Sequence, residues 1–243
     1  MGDKGMYETL KTKFKTIVKK HNWEDEKINV IAQTLSPEEA IGNPEEKDYP
    51  LLKGRERIVE AQFREARGHA FTDMFGNYQG TINEVLKMDL KNNYRRAIFI
   101  STLNAVLRHL GMVEGTVHCK DRDPQKCSQI LAEHIRSKFG NPKIALVGFQ
   151  PRMAESLAKN FRLKITDMDE QNIGEKKFGV EIQDPRKAQE NINWCDLLVV
   201  TGSTVVNDTM KEFLGSKPVI FYGVTVAGAA CLLDLNRFCP LGK

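Results

Sequence analysis

Between residues 143 and 233, short apolar runs alternate with amphipathic stretches, and that alternation leaves the chain few folds. The apolar runs cover 143–149, 163–167, 197–201 and 218–222; helical spacing covers 151–160, 185–193, 205–214 and 226–233. Continuous apolar runs are the mark of parallel strands buried on both faces. Parallel neighbours need a crossover between them, and helices placed there cover the sheet. Residues 141–243 are therefore predicted to form a Rossmann-like α/β domain with a parallel sheet.

Two of these runs end in a glycine beside Ser or Thr and pass straight into a helical pattern. They are Val199-Val-Thr-Gly-Ser-Thr and Pro218-Val-Ile-Phe-Tyr-Gly-Val-Thr. A helix N-terminus at such a turn offers free N–H groups and a positive dipole end, which suits an anionic or oxygen-rich ligand. Ligands of open parallel sheets sit beyond the carboxyl ends of the strands. Four such ends supply candidate binding residues: Gly148, Asp167, the group Thr201, Gly202 and Ser203, and the pair Gly223 and Thr225. Asp167 follows Gly148 by 19 residues, near where nucleotide-binding folds keep a ribose-binding acid; its alternative is a helix cap or a surface carboxylate. The first turn, Gly148-Phe-Gln-Pro, lacks the further glycines that let a pyrophosphate approach the backbone, which argues against NAD or FAD. Asn207, in the first turn of a helix over 205–214, would face the same crevice, or else cap locally.

The N-terminal half has a different order. Helical spacing of Met6, Leu10, Phe14, Ile17 and Val18 predicts a helix over 6–20. Residues 27–35 and 57–63 are predicted as strands, 36–52 as an acidic, proline-containing loop, and 69–72 as a sheet continuation after a turn at Gly68. A turn-rich loop over 74–80 leads to a short helix with a Thr81–Glu84 capping box, then a long apolar helix over 94–110 stopped by Gly111. Pro124 opens a further helix reaching about residue 138. Strands first and helices later is an α+β pattern, so a boundary at Gly140-Asn-Pro142 divides residues 1–140 from 141–243.

Composition narrows the function classes. A net charge of +4 with no dense Lys/Arg block gives no nucleic-acid footprint, and no apolar run is long enough to span a bilayer. Residues 1–20 are too charged for a signal peptide. Five scattered cysteines without a CxxC fit reduced thiols in the cytoplasm better than a disulfide framework. Cys195 and Cys231, both in apolar runs, are expected in the core. Apolar residues on the outer helices would permit a homodimer.

Ionisable clusters supply the candidate chemistry. In His118-Cys-Lys-Asp121, Lys120 could stabilise developing negative charge and His118 could move protons; a solvated loop is the plain alternative. His118, Cys119 and Cys127 match no structural zinc spacing. Asp73, at a strand end, could act as a general base or only shape a turn before Gly76. Asn104, inside an apolar helix, either ties that helix to a neighbouring backbone or points into a site, and the site reading is preferred.

Several motifs together carry a resemblance: Arg67-Gly-His-Ala-Phe-Thr-Asp73, Ser101-Thr-Leu-Asn-Ala105, Gly115-Thr-Val-His-Cys-Lys120, Val200-Thr-Gly-Ser203 with Asn207, and Pro218 through Pro240. On these the chain resembles a family of uncharacterised prokaryotic proteins labelled as a heavy-metal chelation domain. The resemblance implies an α/β protein: an enolase N-terminal-like domain, then a Rossmann-like domain, with a site between them. It also implies condensation or hydrolysis in the synthesis of pterin-, flavin- or siderophore-like metal chelators. The first Rossmann turn departs from a Gly-rich loop, against S-adenosylmethionine; the cofactor stays open. Three roles compete: an enzyme on a small anionic or heterocyclic metabolite, a non-catalytic carrier of a heavy metal or metal chelate, and a regulatory module.

Overall fold

The computed structural model describes residues 5–31, 39, 41–42, 44, 48–49, 56–215 and 217–243. Most of the expected loop over 36–52 and the end of the expected strand over 27–35 lie outside the described residues. The elements run α1 (Met6–Lys20), β1 (Lys27–Ile31), β2 (Arg57–Phe63), β3 (Ala66–Thr72), β4 (Tyr78–Thr81), α2 (Ile82–Lys87) and α3 (Asn93–His109). There follow α4 (Asp123–Phe139), β5 (Lys143–Val147), α5 (Pro151–Asn160), β6 (Arg162–Thr166), β7 (Lys176–Lys177) and β8 (Val180–Gln183). The chain then forms α6 (Ala188–Trp194), β9 (Leu197–Thr201), β10 (Val219–Tyr222), α7 (Ala227–Leu233) and β11 (Arg237–Phe238).

Two sheets organise the molecule. One is antiparallel, in the order β3-β2-β1-β4; the other runs β11-β10-β9-β5-β6-β8-β7. The second is parallel except for the β7–β8 hairpin, so the fold is the α/β class that the alternation required. β4, the β7–β8 hairpin and β11 are too short and too polar to have stood out as strands.

α3 is the centre of the packing. Every residue from Ala97 to Leu107 is buried, as a helix apolar on all sides must be. It packs on β2 and β3 and meets α7 on its other side. One apolar cluster joins Phe14, Ile28, Phe63 and Phe99 to Leu198, Val200, Phe221 and Ala229, so it crosses residue 140 without a break.

Gly68 is not in a turn. The β2–β3 reversal falls on Arg64, at φ 54°, and Phe63 pairs with Ala66. Gly68 lies within β3 where α3 presses on the strand: a Cβ there would stand 2.4 Å from both Ala105 N and Ser101 O. Backbone cannot yield as a side-chain tip can. Gly68→Ala is therefore expected to lower stability by roughly 1–3 kcal/mol. Urea denaturation measures this, and an unchanged midpoint would contradict the packing.

The helix expected over 205–214 is replaced by two 3₁₀ turns, Gly202–Val205 and Met210–Phe213. Thr204, Val205 and Val206 are β-branched and propagate an α-helix poorly, and Asp208 adopts a left-handed φ of 60°. Cys195 is buried as expected, whereas Cys231 is exposed, on the outer side of α7.

Candidate functional site

The site follows from the order of the parallel strands. β5 has β6 on one side and β9 on the other, so the chain leaves it in opposite directions; in open parallel sheets this is the place, beyond the strand ends, where a ligand crevice is expected. Gly148, at φ 86°, makes the turn after β5, and a Cβ on it would stand 2.6 Å from Thr201 Cγ2. Tyr222 at the end of β10 donates its hydroxyl to Gly148 O at 2.9 Å. Burial pushes its phenol above the usual range; the Thr201 hydrogen bond opposes this, and Asp167 and Glu56 add to it. Thr201 Oγ1 and Ser203 Oγ lie 3.1 Å apart. Gly202 fits closely under the next turn, where a Cβ would meet Val226 N at 3.0 Å.

Polar groups of the first half reach this edge. Asn93 Nδ2 donates to Asp73 Oδ1 at 2.7 Å and to Asn207 Oδ1 at 3.2 Å, which joins the end of β3 to the turn after β9. Arg96 fixes Asn93, donating to its Oδ1 at 2.5 Å, and also holds Val206 O at 2.5 Å. Asn207 Nδ2 in turn reaches Met168 Sδ at 3.7 Å, over the end of β6. Asp73, Asn207, Thr201, Ser203, Gly148 and Asp167 are thus brought together.

Sequence reasoning missed Glu56. Arg57 pairs with Thr72, so Glu56 stands at the next rung of the ladder, where β3 runs into Asp73. Its carboxyl is pushed up to about 7, first by burial and then by the charges of Asp167, Asp73 and Asp169. A carboxyl in that range exchanges a proton readily near neutral pH, as a general acid or base requires. Asp167 is also raised by burial, but the backbone N–H groups of Asp169 and Phe149 hold it back. It accepts from Phe149 N and, at 2.7 Å, from Asp169 N, so it closes the two strand-end turns upon one another.

Several of the amides expected to meet an anion are already bonded. Phe149 N is taken by Asp167, Met153 N by the Gln150 side chain at 2.5 Å, and Pro151 has no N–H. Ser203 N faces Thr201 Oγ1, and Gly228 N donates to Asn104 Oδ1 at 2.7 Å. Carboxylates, hydroxyls and amide side chains furnish the crevice instead.

Other candidates have structural places. Asn104 is fully buried and ties backbone together, with Nδ2 within 2.9 Å of His69 O, 3.0 Å of Thr225 O and 3.3 Å of Val224 O. Thr225 Oγ1 accepts from Phe71 N at 3.0 Å, and Gly223 O accepts from Arg237 Nε at 3.0 Å. His118 donates its backbone N–H to His69 Nδ1 at 3.1 Å and sets its ring edge-on to Phe71. That bond leaves His69 Nε2 to face Glu60 at 2.7 Å. Lys120 does not join the charges acting on Glu56; it is among those that lower Glu60, after the His69 bond and the charges of His69 and Arg67.

A metal ion needs deprotonated donors placed together. Burial holds the Cys119 and Cys127 thiols at about 12, with the neighbouring Cys239 adding to the shift. A thiol must lose its proton to ligate. Among the described residues no three His, Cys, Asp or Glu side chains are placed to hold an ion. The described donors therefore do not fit a directly ligated metal. No helix among the described residues is long and apolar enough to cross a membrane.

Comparison with known proteins gives a family match over part of the chain. Residues 131–236 match the model of the family DUF364, described as "Putative heavy-metal chelation". A crystal structure of a DUF364 protein of unknown function from Pyrococcus horikoshii shares the fold with a TM-score of 0.56 at 16% identity, over 90% of this chain and 79% of that one. Another, from Desulfitobacterium hafniense DCB-2, gives 0.50 at 15% identity, over 73% and 72%. No curated protein matches.

Proposed function

We propose that this protein binds, beyond the ends of β5, β6 and β9, a small polar molecule bearing a cationic or hydrogen-donating group, and that Glu56 exchanges a proton with it. Glu56 is the observation that carries the reading: an enclosed carboxyl near pH 7, surrounded by acids, gains most from a cation or a donor. An anion would meet the charges of Asp73, Asp167 and Asp169, while Phe149 N, Met153 N and Ser203 N are already engaged. The heavy-metal chelation description fits in the form of a metal carried inside an organic chelator, or of that chelator's precursor. Condensation and hydrolysis both need a group that takes and returns a proton, which Glu56 can do. Asp73 and Asp167 are already tied to Asn93 and to backbone, and this favours a second reading, carriage without chemistry.

Thermal-shift screening of the full chain tests the reading with amines, metal chelates, phosphates and carboxylates. Amines or chelates are expected to stabilise the protein, Glu56→Gln to lose most of that effect, and Lys120→Ala, beside Glu60, to keep it within about twofold. Stabilisation by pyrophosphate and carboxylates, with amines silent, would overturn it. A hit recovered chemically unchanged after incubation assigns carriage rather than turnover.

A further inference from the structure

α1 and α2 pack on one another and leave a hollow between them, and the sequence makes its lining basic. On α1, Lys11 and Lys15 are four residues apart and share one face, with Thr12 beside them. On α2, Asn83, Leu86 and Lys87 share a face by the same spacing. The two faces border a cavity of about 220 Å³, lined by Lys11, Thr12, Lys15, Asn83, Leu86 and Lys87. That is room for several waters, and for a small molecule in their place. None of these residues belongs to the strand-end group, so either site can exist without the other.

Three ammonium groups around one hollow repel one another unless acids answer them. Here acids are few. Glu8 is the only acid of α1, and Thr12 bonds its backbone carbonyl at 2.8 Å, not its carboxylate. Glu84 of α2 is held by Thr81 N at 2.7 Å, and Asp89 pairs with Arg95 at 3.8 Å. Among the described residues, Lys15 and Lys87 have no ion pair and no side-chain hydrogen bond, and the Asn83 amide group has none either. Lys11 is the least exposed of the three lysines and donates from Nζ to Met88 O. Burial pulls its ammonium below the ordinary value, with the Asp89 charge opposing. An anion in the cavity would supply the missing negative charge, and lysines meet phosphate oxygens as point charges. One phosphate brings about −1.5 to −2 charges at pH 7, fewer than three ammonium groups can answer, and a diphosphate comes nearer the balance.

We propose that the cavity between α1 and α2 binds a compact, multiply charged phosphate of the diphosphate kind. Lys11, Lys15 and Lys87 meet its oxygens, and the Asn83 amide and Thr12 hydroxyl complete the shell.

Isothermal titration of the full chain with pyrophosphate and with inorganic phosphate tests this at about 0.15 M salt, where charges more than about 8 Å apart are largely screened. Pyrophosphate is expected to bind at one site, about tenfold more tightly than phosphate. Lys15→Ala and Lys87→Ala are each expected to weaken it about tenfold. Lys20→Ala removes the same charge from another face of α1 and is expected to change it less than about twofold. All three lysines are exposed, so the variants keep the fold, which their melting temperatures check. An equal loss in all three would mean attraction to the charge of the helix at large and would overturn the site. Phosphate binding as tightly as pyrophosphate, or no saturable binding, would overturn it too. Sedimentation with phosphatidylcholine vesicles carrying phosphatidic acid tests the other source of such a group. Capture by these vesicles without pyrophosphate binding would replace the cavity site by a lipid surface.

Discussion

Asn104→Ala is expected to lower the stability of this protein by about 3–5 kcal/mol, the range for breaking a buried polar hub. The side chain is fully buried and meets four backbone groups: the carbonyls of His69, Val224 and Thr225, and the N–H of Gly228. Alanine leaves these groups dry and without their partner. The carbonyls belong to β3 and to the turn that follows β10, so the loss acts on both sheets at once. Denaturant unfolding of the variant gives the value, and a loss below about 1 kcal/mol would mean that water or a shifted backbone replaces the amide.

Glu56→Gln is expected to stabilise the protein at alkaline pH and to do little in acid. The folded-state carboxyl lies at about 7, above its ordinary value, because burial and the facing Asp73, Asp167 and Asp169 disfavour the charge. A raised folded-state value means that the protonated group is compatible with the fold. Its contribution is complete below the unfolded value near 4.3 and is lost as pH climbs through about 7. The full span corresponds to on the order of 3 kcal/mol; partial solvent access reduces this to about 2 kcal/mol. Glutamine carries no charge to expel, so the variant should exceed the parent by about 2 kcal/mol at pH 8 and match it near pH 4. Unfolding curves at several pH values decide it; parallel pH profiles for the two proteins would remove Glu56 from the account. A gain in stability from removing a charge is the pattern of a residue kept for binding rather than for the fold.

The parallel strands were plain in the sequence because burial on both faces admits only apolar residues, as in Leu197–Val200. α3 was plain for the same reason. The element after β9 was not: apolar residues at helical spacing suggested a helix, and the left-handed Asp208 that breaks it depends on tertiary surroundings. Gly68 appeared as a turn former because the pressure of α3 on β3 is a contact between residues more than thirty apart. Glu56 was hidden for a related reason. It sits in Gly54-Arg-Glu-Arg57, which resembles any solvated charged stretch, and only the ladder to β3 places it beside Asp73. One signal was available: Glu60 shares a face with Ile58 in the strand predicted over 57–63, Glu56 continues that alternation one residue before it, and acids on the face of a sheet need an explanation. Asn104 was visible as an anomaly, but a side-chain amide that stitches backbone and one that meets a ligand have the same signature in a sequence.

The unbroken apolar cluster across residue 140 would limit how the proposed ligand gets in. Two lobes joined by a linker could swing apart like jaws; here such a swing would pull α1 and α3 away from α7 and split the cluster that holds Phe14, Phe99, Phe221 and Ala229. A ligand of the proposed kind would then enter past small parts, such as the exposed side chains of Met74 and Met168. On the proposed reading, the continuous core would hold both walls of the site together.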